Sequence, residues 1–125
     1  MISRIHSTTI IVADQEAALD FFVNTLEWKK AIDYQMGTEM RFLTVVPPGA
    51  ATQLVLALES WFIDGNNTGK HSGITLISPD IEATYTDLQA RGVKFKQPIE
   101  NMPWGGKATW FYDIDGNKFF LTTEG

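Results

Sequence analysis

Apolar and polar positions follow one rhythm twice along the chain. Residues 5–12 are rich in β-branched side chains (Thr8, Thr9, Ile10, Ile11, Val12), which predicts a strand. Asp14 then caps a helix in which Ala17, Ala18, Phe21, Phe22 and Leu26 recur near helical spacing. Residues 28–35, 38–46 and 53–58 read as three further strands, the last two joined by the turn Pro47-Pro48-Gly49. Residues 59–70 form a polar linker. The order then returns: a strand over 73–77, a helix from Asp80 through Ala90 ended by Gly92, and a strand over 93–97. A hairpin of 108–113 and 118–122 over Asp115-Gly116-Asn117 completes it. Asp14 and Asp80 fix the displacement at 66 residues. The pattern predicts an α+β fold of two tandem βαβββ modules, about 1–60 and 70–125, within one domain over 1–125. The two form a curved mixed sheet around a cavity, with the helices on its outer face.

Composition narrows the class without naming a function. The chain has 125 residues, 44% of them hydrophobic and 20% charged, as ordinary globular proteins do. A net charge of −5 and scattered Lys and Arg give no cationic stripe for phosphates, so no nucleic-acid partner is expected. No apolar run approaches the roughly 20 residues of a membrane helix. The absence of cysteine removes thiolate metal sites and disulfides and fits a cytoplasmic protein. Aromatic residues, at 12%, crowd into strand-like runs such as Trp110-Phe111-Tyr112 and Phe119-Phe120, which implies strands covered on both faces.

The residues also carry a family resemblance that extends over essentially the whole chain. Its bearers are Ile5 through Asp14 with Ala18-Leu19-Asp20-Phe21-Phe22 and Leu26, then Leu88-Gln89-Ala90-Arg91-Gly92-Val93, Pro103-Trp104-Gly105-Gly106 and Asp113-Ile114-Asp115-Gly116-Asn117. They resemble the vicinal oxygen chelate superfamily, which holds glyoxalase I, extradiol dioxygenases, and fosfomycin- and bleomycin-resistance proteins. The chain departs from the family pattern at Ile114, where Pro is usual, and at Trp28, where Gly is usual. One such fold hosts many chemistries, so the resemblance leaves open whether this chain is an enzyme.

The resemblance implies paired metal-ligand positions, one on the first and one on the fourth strand of each module. In this chain they fall on Ser7, Gln53, Gly73 and Phe120. A hydroxyl, an amide, a missing side chain and a benzyl ring make a poor donor set for zinc, nickel or iron(II), so no metal and no cofactor are expected. Strand alternation in phase with those positions selects Ser7, Thr9 and Ile11; Gln53, Val55 and Ala57; Gly73, Thr75 and Ile77; and Lys118, Phe120 and Thr122. On the third strand of each module the family phase implies Arg41, Leu43 and Val45, and Ala108, Trp110 and Tyr112. Trp104 is a candidate lid, and Arg41 a candidate grip for an anionic group.

The leading expectation is a metal-independent binder of a small aromatic or amphipathic molecule, like the bleomycin-resistance proteins, and a homodimer by resemblance. Two other readings stay open. One is a metal-dependent lyase or dioxygenase with a site shifted to His6, Gln53 and His71, with Glu59 as its acidic reserve. The other is an interaction module whose cavity is filled by Trp110, Phe120 and their neighbours.

Overall fold

A computed structural model describes residues 1–38, 40–61 and 71–124, with His71 described in its backbone alone. The chain divides into two compact units, Met1–Thr68 and Gly69–Gly125. Each carries the predicted order.

In the first unit the strands are β1 (Ser7–Val12), β2 (Lys29–Met36), β3 (Met40–Val46) and β4 (Gln53–Leu58). They form a four-stranded sheet in the order β1-β4-β3-β2, in which only β1 and β4 run parallel. That parallel pair requires a crossover, and helix α1 (Gln15–Asp20) begins it. Asp14 starts the helix by accepting hydrogen bonds from the Glu16 and Ala17 amides, at 2.9 and 3.3 Å. The predicted regular helix through Leu26 is corrected by the structure: Phe21–Thr25 is a π turn. Its widened spacing carries both Phe21 and Phe22 into the core, with ring centroids 5.2 Å apart. Trp28 packs its ring 5.2 Å from Phe22, which gives the bulky residue at this position a structural role. Buried Gln15 ties α1 to the sheet, donating from its amide to the Arg41 and Leu56 carbonyls at 2.8 Å each.

The second unit contains β5 (His71–Ile77), helix α2 (Ile81–Ala90), β6 (Lys94–Phe95), β7 (Glu100–Asn101), β8 (Lys107–Tyr112) and β9 (Lys118–Thr122). Its sheet runs β5-β9-β8-β6, with β7 also pairing on β8. The topology repeats that of the first unit, with β5 and β9 as the parallel pair. The short β7 was not predicted, because two polar residues between prolines carry no alternation. The sheets are thus two, of four and five strands. Asp80 caps α2 through the Ala83 amide, and Gly92, at φ +89°, ends it as the sequence predicts. Rings from Tyr85, Phe95, Phe111 and Phe119 follow one another at 4.5, 5.9 and 5.4 Å and fill the space between α2 and the sheet.

The β8–β9 turn is closed by a buried carboxylate. Asp113 Oδ1 accepts the Asp115 and Asn117 amides at 2.9 and 2.8 Å, and its Oδ2 accepts Asn117 Nδ2 at 2.9 Å. Burial pushes the Asp113 carboxyl above its ordinary range, against the opposing hydrogen bonds from Asn117 and Asp115. A raised folded-state pKa makes this group's stabilising contribution full below the ordinary carboxylate range. It is lost as pH rises through the folded value. Replacing Asp113 with Ala leaves three donors unpaired and should cost about 2–3 kcal/mol in urea unfolding. Asp113→Asn keeps one acceptor oxygen and should lose about half as much.

Candidate functional site

Residues directly opposite one another on adjacent strands share a face, so register fixes the site. In the second unit Thr75 opposes Phe120, Trp110 opposes Phe120, Tyr112 opposes Lys118 and Ala108 opposes Thr122. These side chains occupy the face turned away from α2, while Phe111 and Phe119 are buried on the other. The Trp110 and Phe120 rings meet at 4.6 Å with planes 53° apart. Lys118 Nζ stands 5.0 Å from the Trp110 ring centroid, within cation–π range. Beside the ring pair lies a recess of about 210 Å³ lined by Gly73, Ile74, Thr75, Trp110 and Phe120.

Glycine creates that recess. The pairing of β5 with β9 shifts register between His71 and Thr75, and Gly73 within the irregularity has φ +74°. This left-handed backbone disfavours any residue with a side chain, and a Cβ there would meet nothing within 4 Å. The strand therefore bends where the face is bare, and the two rings form the neighbouring wall.

The first unit presents the corresponding face differently. Ser7, Thr9 and Ile11 oppose Gln53, Val55 and Ala57 in register, as the alternation predicts. Thr44 opposes Val55 and therefore shares its face; its hydroxyl donates to Gln53 Oε1 at 2.7 Å. Phe42 and Trp61 pack against Ile11, Val55 and Ala57. Arg41 and Leu43 are not pocket residues, nor is Val45. They point to the helix side of β3, one residue out of the predicted phase, and Leu43 is fully buried there. The Arg41 guanidinium grips both oxygens of Asp33 at 2.8 Å and Glu16 of α1 at 3.0 Å. It is spent on the fold rather than on a ligand. These hydrogen bonds, Arg41 first and Lys30 second, hold the Asp33 carboxyl well below the usual carboxylate range. Asp33 in turn raises Arg41.

The remaining candidates fall in several places. Tyr112 lies on the same face as Trp110, one alternation further along β8. Trp104 sits in the turn before β8, largely exposed, with its indole over Gly106; it is not among the residues lining the recess. His6 precedes β1 and is exposed, and its carbonyl accepts the Gln53 amide at 3.0 Å. The His71 side chain lies outside the described residues. The alternation did not single out Phe42, Thr44 or Ile74. In the run Thr44-Val45-Val46 every residue is β-branched, so neither face is marked.

Register also corrects one pairing between the halves. Thr9 opposes Val55, and Thr75, 66 residues on from Thr9, opposes Phe120. Val55, not Gln53, is thus the counterpart of Phe120. Differing turn lengths and the irregularity at Gly73 had displaced the match by two residues. The donors that a metal-using relative would need do not fit here. Phe120 and Val55 offer hydrocarbon, Gly73 offers no side chain, and the Gln53 amide oxygen is engaged by Thr44. Among the described residues, no three His, Cys, Asp or Glu side chains converge on one point. A second recess, of about 380 Å³, lies by α2 between Tyr85, Thr86, Ile99 and Asn101; Lys107 and Glu82 there form an ion pair with each other.

Comparison with known proteins agrees with this fold. A family model described as the Glyoxalase/Bleomycin resistance protein/Dioxygenase superfamily matches residues 4–121. An uncharacterized Bacillus subtilis protein, YetH, is 35% identical over 97% of this chain and 98% of its own. A crystal structure of a member of the superfamily from Sphaerobacter thermophilus is 57% identical, covers 98% of both chains and superposes with a TM-score of 0.96. TnmS3, described as an antibiotic binding protein from a Streptomyces species, is 37% identical over 99% of this chain and 98% of its own, with a TM-score of 0.84.

The placement of Arg41 generates a test. A lowered folded-state pKa at Asp33 means stability that is full above about pH 4 and lost as pH falls through the folded value. Arg41→Ala should cost about 1 kcal/mol at neutral pH, because the pair is partly solvated. It should also flatten the acid limb of a stability–pH curve while leaving ligand affinity at the second-unit recess unchanged.

Proposed function

The chain belongs to the Glyoxalase/Bleomycin resistance protein/Dioxygenase superfamily, and within it we propose that this protein binds a small aromatic or amphipathic molecule without the help of a metal. The observation that carries the reading is the Trp110–Phe120 pair beside the open recess at Gly73 and Thr75. Rigid rings at a concavity supply apolar area and stacking at little entropic cost, while Thr75 and Lys118 supply polar handles. The donor set Ser7, Val55, Gly73 and Phe120 supports a role without metal, since hydrocarbon occupies positions where a cation would require lone pairs. TnmS3, alike in sequence and fold, is described as an antibiotic binding protein, which favours binding over turnover as the primary activity. The recess is small, so a larger ligand would extend along the face toward Tyr112. A homodimer in the cytoplasm is the setting we assign, from the family resemblance and the absence of cysteine.

Titration with planar aromatic compounds should quench tryptophan emission saturably. Trp110→Ala should remove at least tenfold of the affinity, in line with losing one buried aromatic contact. Chelator should change nothing. Stoichiometric zinc, nickel or iron in protein purified without chelator, with binding lost on its removal, would sink the proposal.

A further inference from the structure

Charge on the face that holds the ring pair is segregated by sign, with lysines gathered at the Tyr112 end. Lys94 of β6 opposes Tyr112, and Tyr112 opposes Lys118 of β9, so the two lysines flank one tyrosine on the face that holds Trp110. Lys96 follows at the bend after β6 and donates its amide to the Trp110 carbonyl at 2.9 Å. Lys94 and Lys96 are exposed, and Lys118 is half-buried over the indole. Among the described residues, none of the three is in a salt bridge with a carboxylate. Two further cations of this unit are paired: Lys107 is taken by Glu82 and Arg91 by Asp87.

Two nearby acids lie in the β8–β9 turn: Asp113 is buried with its oxygens turned to donors of the hairpin, among them the Asp115 amide. Glu100 shares the face but opposes Ala108. Ala108 lies four residues along β8 from Tyr112, about 13 Å at the usual strand rise. The face is therefore polarised, with ammonium groups at the Tyr112 end and the carboxylate at the other. This occurs in a chain whose net charge is −5.

The geometry points to an anionic aromatic as the ligand of this site: a planar ring system carrying a carboxylate, sulfonate or acidic phenol. Its rings would lie against Trp110 and Phe120, and its anion would meet Lys118 and Lys94. The inference rests on the binding role proposed above and adds the charge of the ligand. A cationic aromatic would meet like charge at the same place, so the lysines also discriminate.

Two probes with the same rings separate charge from shape: 8-anilinonaphthalene-1-sulfonate and the uncharged N-phenyl-1-naphthylamine. The sulfonate should bind the intact protein about tenfold more tightly, the worth of one or two solvated ion pairs. Lys94→Gln with Lys118→Gln should erase that advantage by weakening the sulfonate alone, and raised salt should shrink it. Lys94 is exposed and Lys118 half-buried, and circular dichroism checks that the double replacement leaves the fold intact. Equal affinity for the two probes, with both lost in Trp110→Ala, overturns the anionic class and leaves the pocket standing. A sulfonate advantage that survives the lysine replacements also overturns it. Binding of both probes that ignores Trp110→Ala overturns the pocket and the ligand class together.

Discussion

In each unit a single parallel strand pair sets which side chains face the helix and which face away. A strand repeats every two residues, so the pairings Thr9–Val55 and Thr75–Phe120 commit whole columns of side chains to one side. The whole site depends on that commitment. Trp110 and Phe120 meet because antiparallel β8 extends the register from β9, and Phe111 and Phe119 are driven to the helix side by the same rule. A slip of one residue would bury the recess wall and expose the core.

The helix sides are where the two units secure this register. Gln15 bridges β3 and β4 through two backbone carbonyls, and the Arg41–Asp33–Glu16 cluster locks β2, β3 and α1 together at the edge. In the second unit the stack from Tyr85 to Phe119 does the same with apolar area, and Asp113 pins the hairpin. These devices differ in chemistry, yet each holds one sheet against one helix. Duplication conserved the topology and left the means of stabilising it free to diverge.

Divergence reached the faces turned away from the helices as well. The first unit fills its face with Phe42 and Trp61 against Ile11, Val55 and Ala57 and pairs Thr44 with Gln53. The second leaves Gly73 bare beside two rings. Apolar groups stand where a metal site would require donors, and Lys94 and Lys118 gather at the Tyr112 end of the second face. The proposed ligand, a ring carrying an anion, follows from that combination.

Much of this is written in the sequence. The caps Asp14 and Asp80, the stop at Gly92 and the Asp115-Gly116-Asn117 turn are local signals, each set by a few neighbouring atoms, and the 66-residue repeat orders them. They fixed the element order; of the five residues around the recess, Gly73, Thr75 and Phe120 lie in the phase of the alternation, Trp110 was reached only through the family resemblance, and Ile74 by neither. Pairing between strands was beyond them. The orientation of Arg41 and Leu43, the equivalence of Val55 with Phe120 and the gathering of Lys94 beside Lys118 arise from contacts between residues far apart in the chain. Where both faces of a strand are β-branched, as around Thr44, no local preference marks the inner side. Only the packing of α1 and the ladder to β4 decided it, because burial there is a property of the assembled sheet.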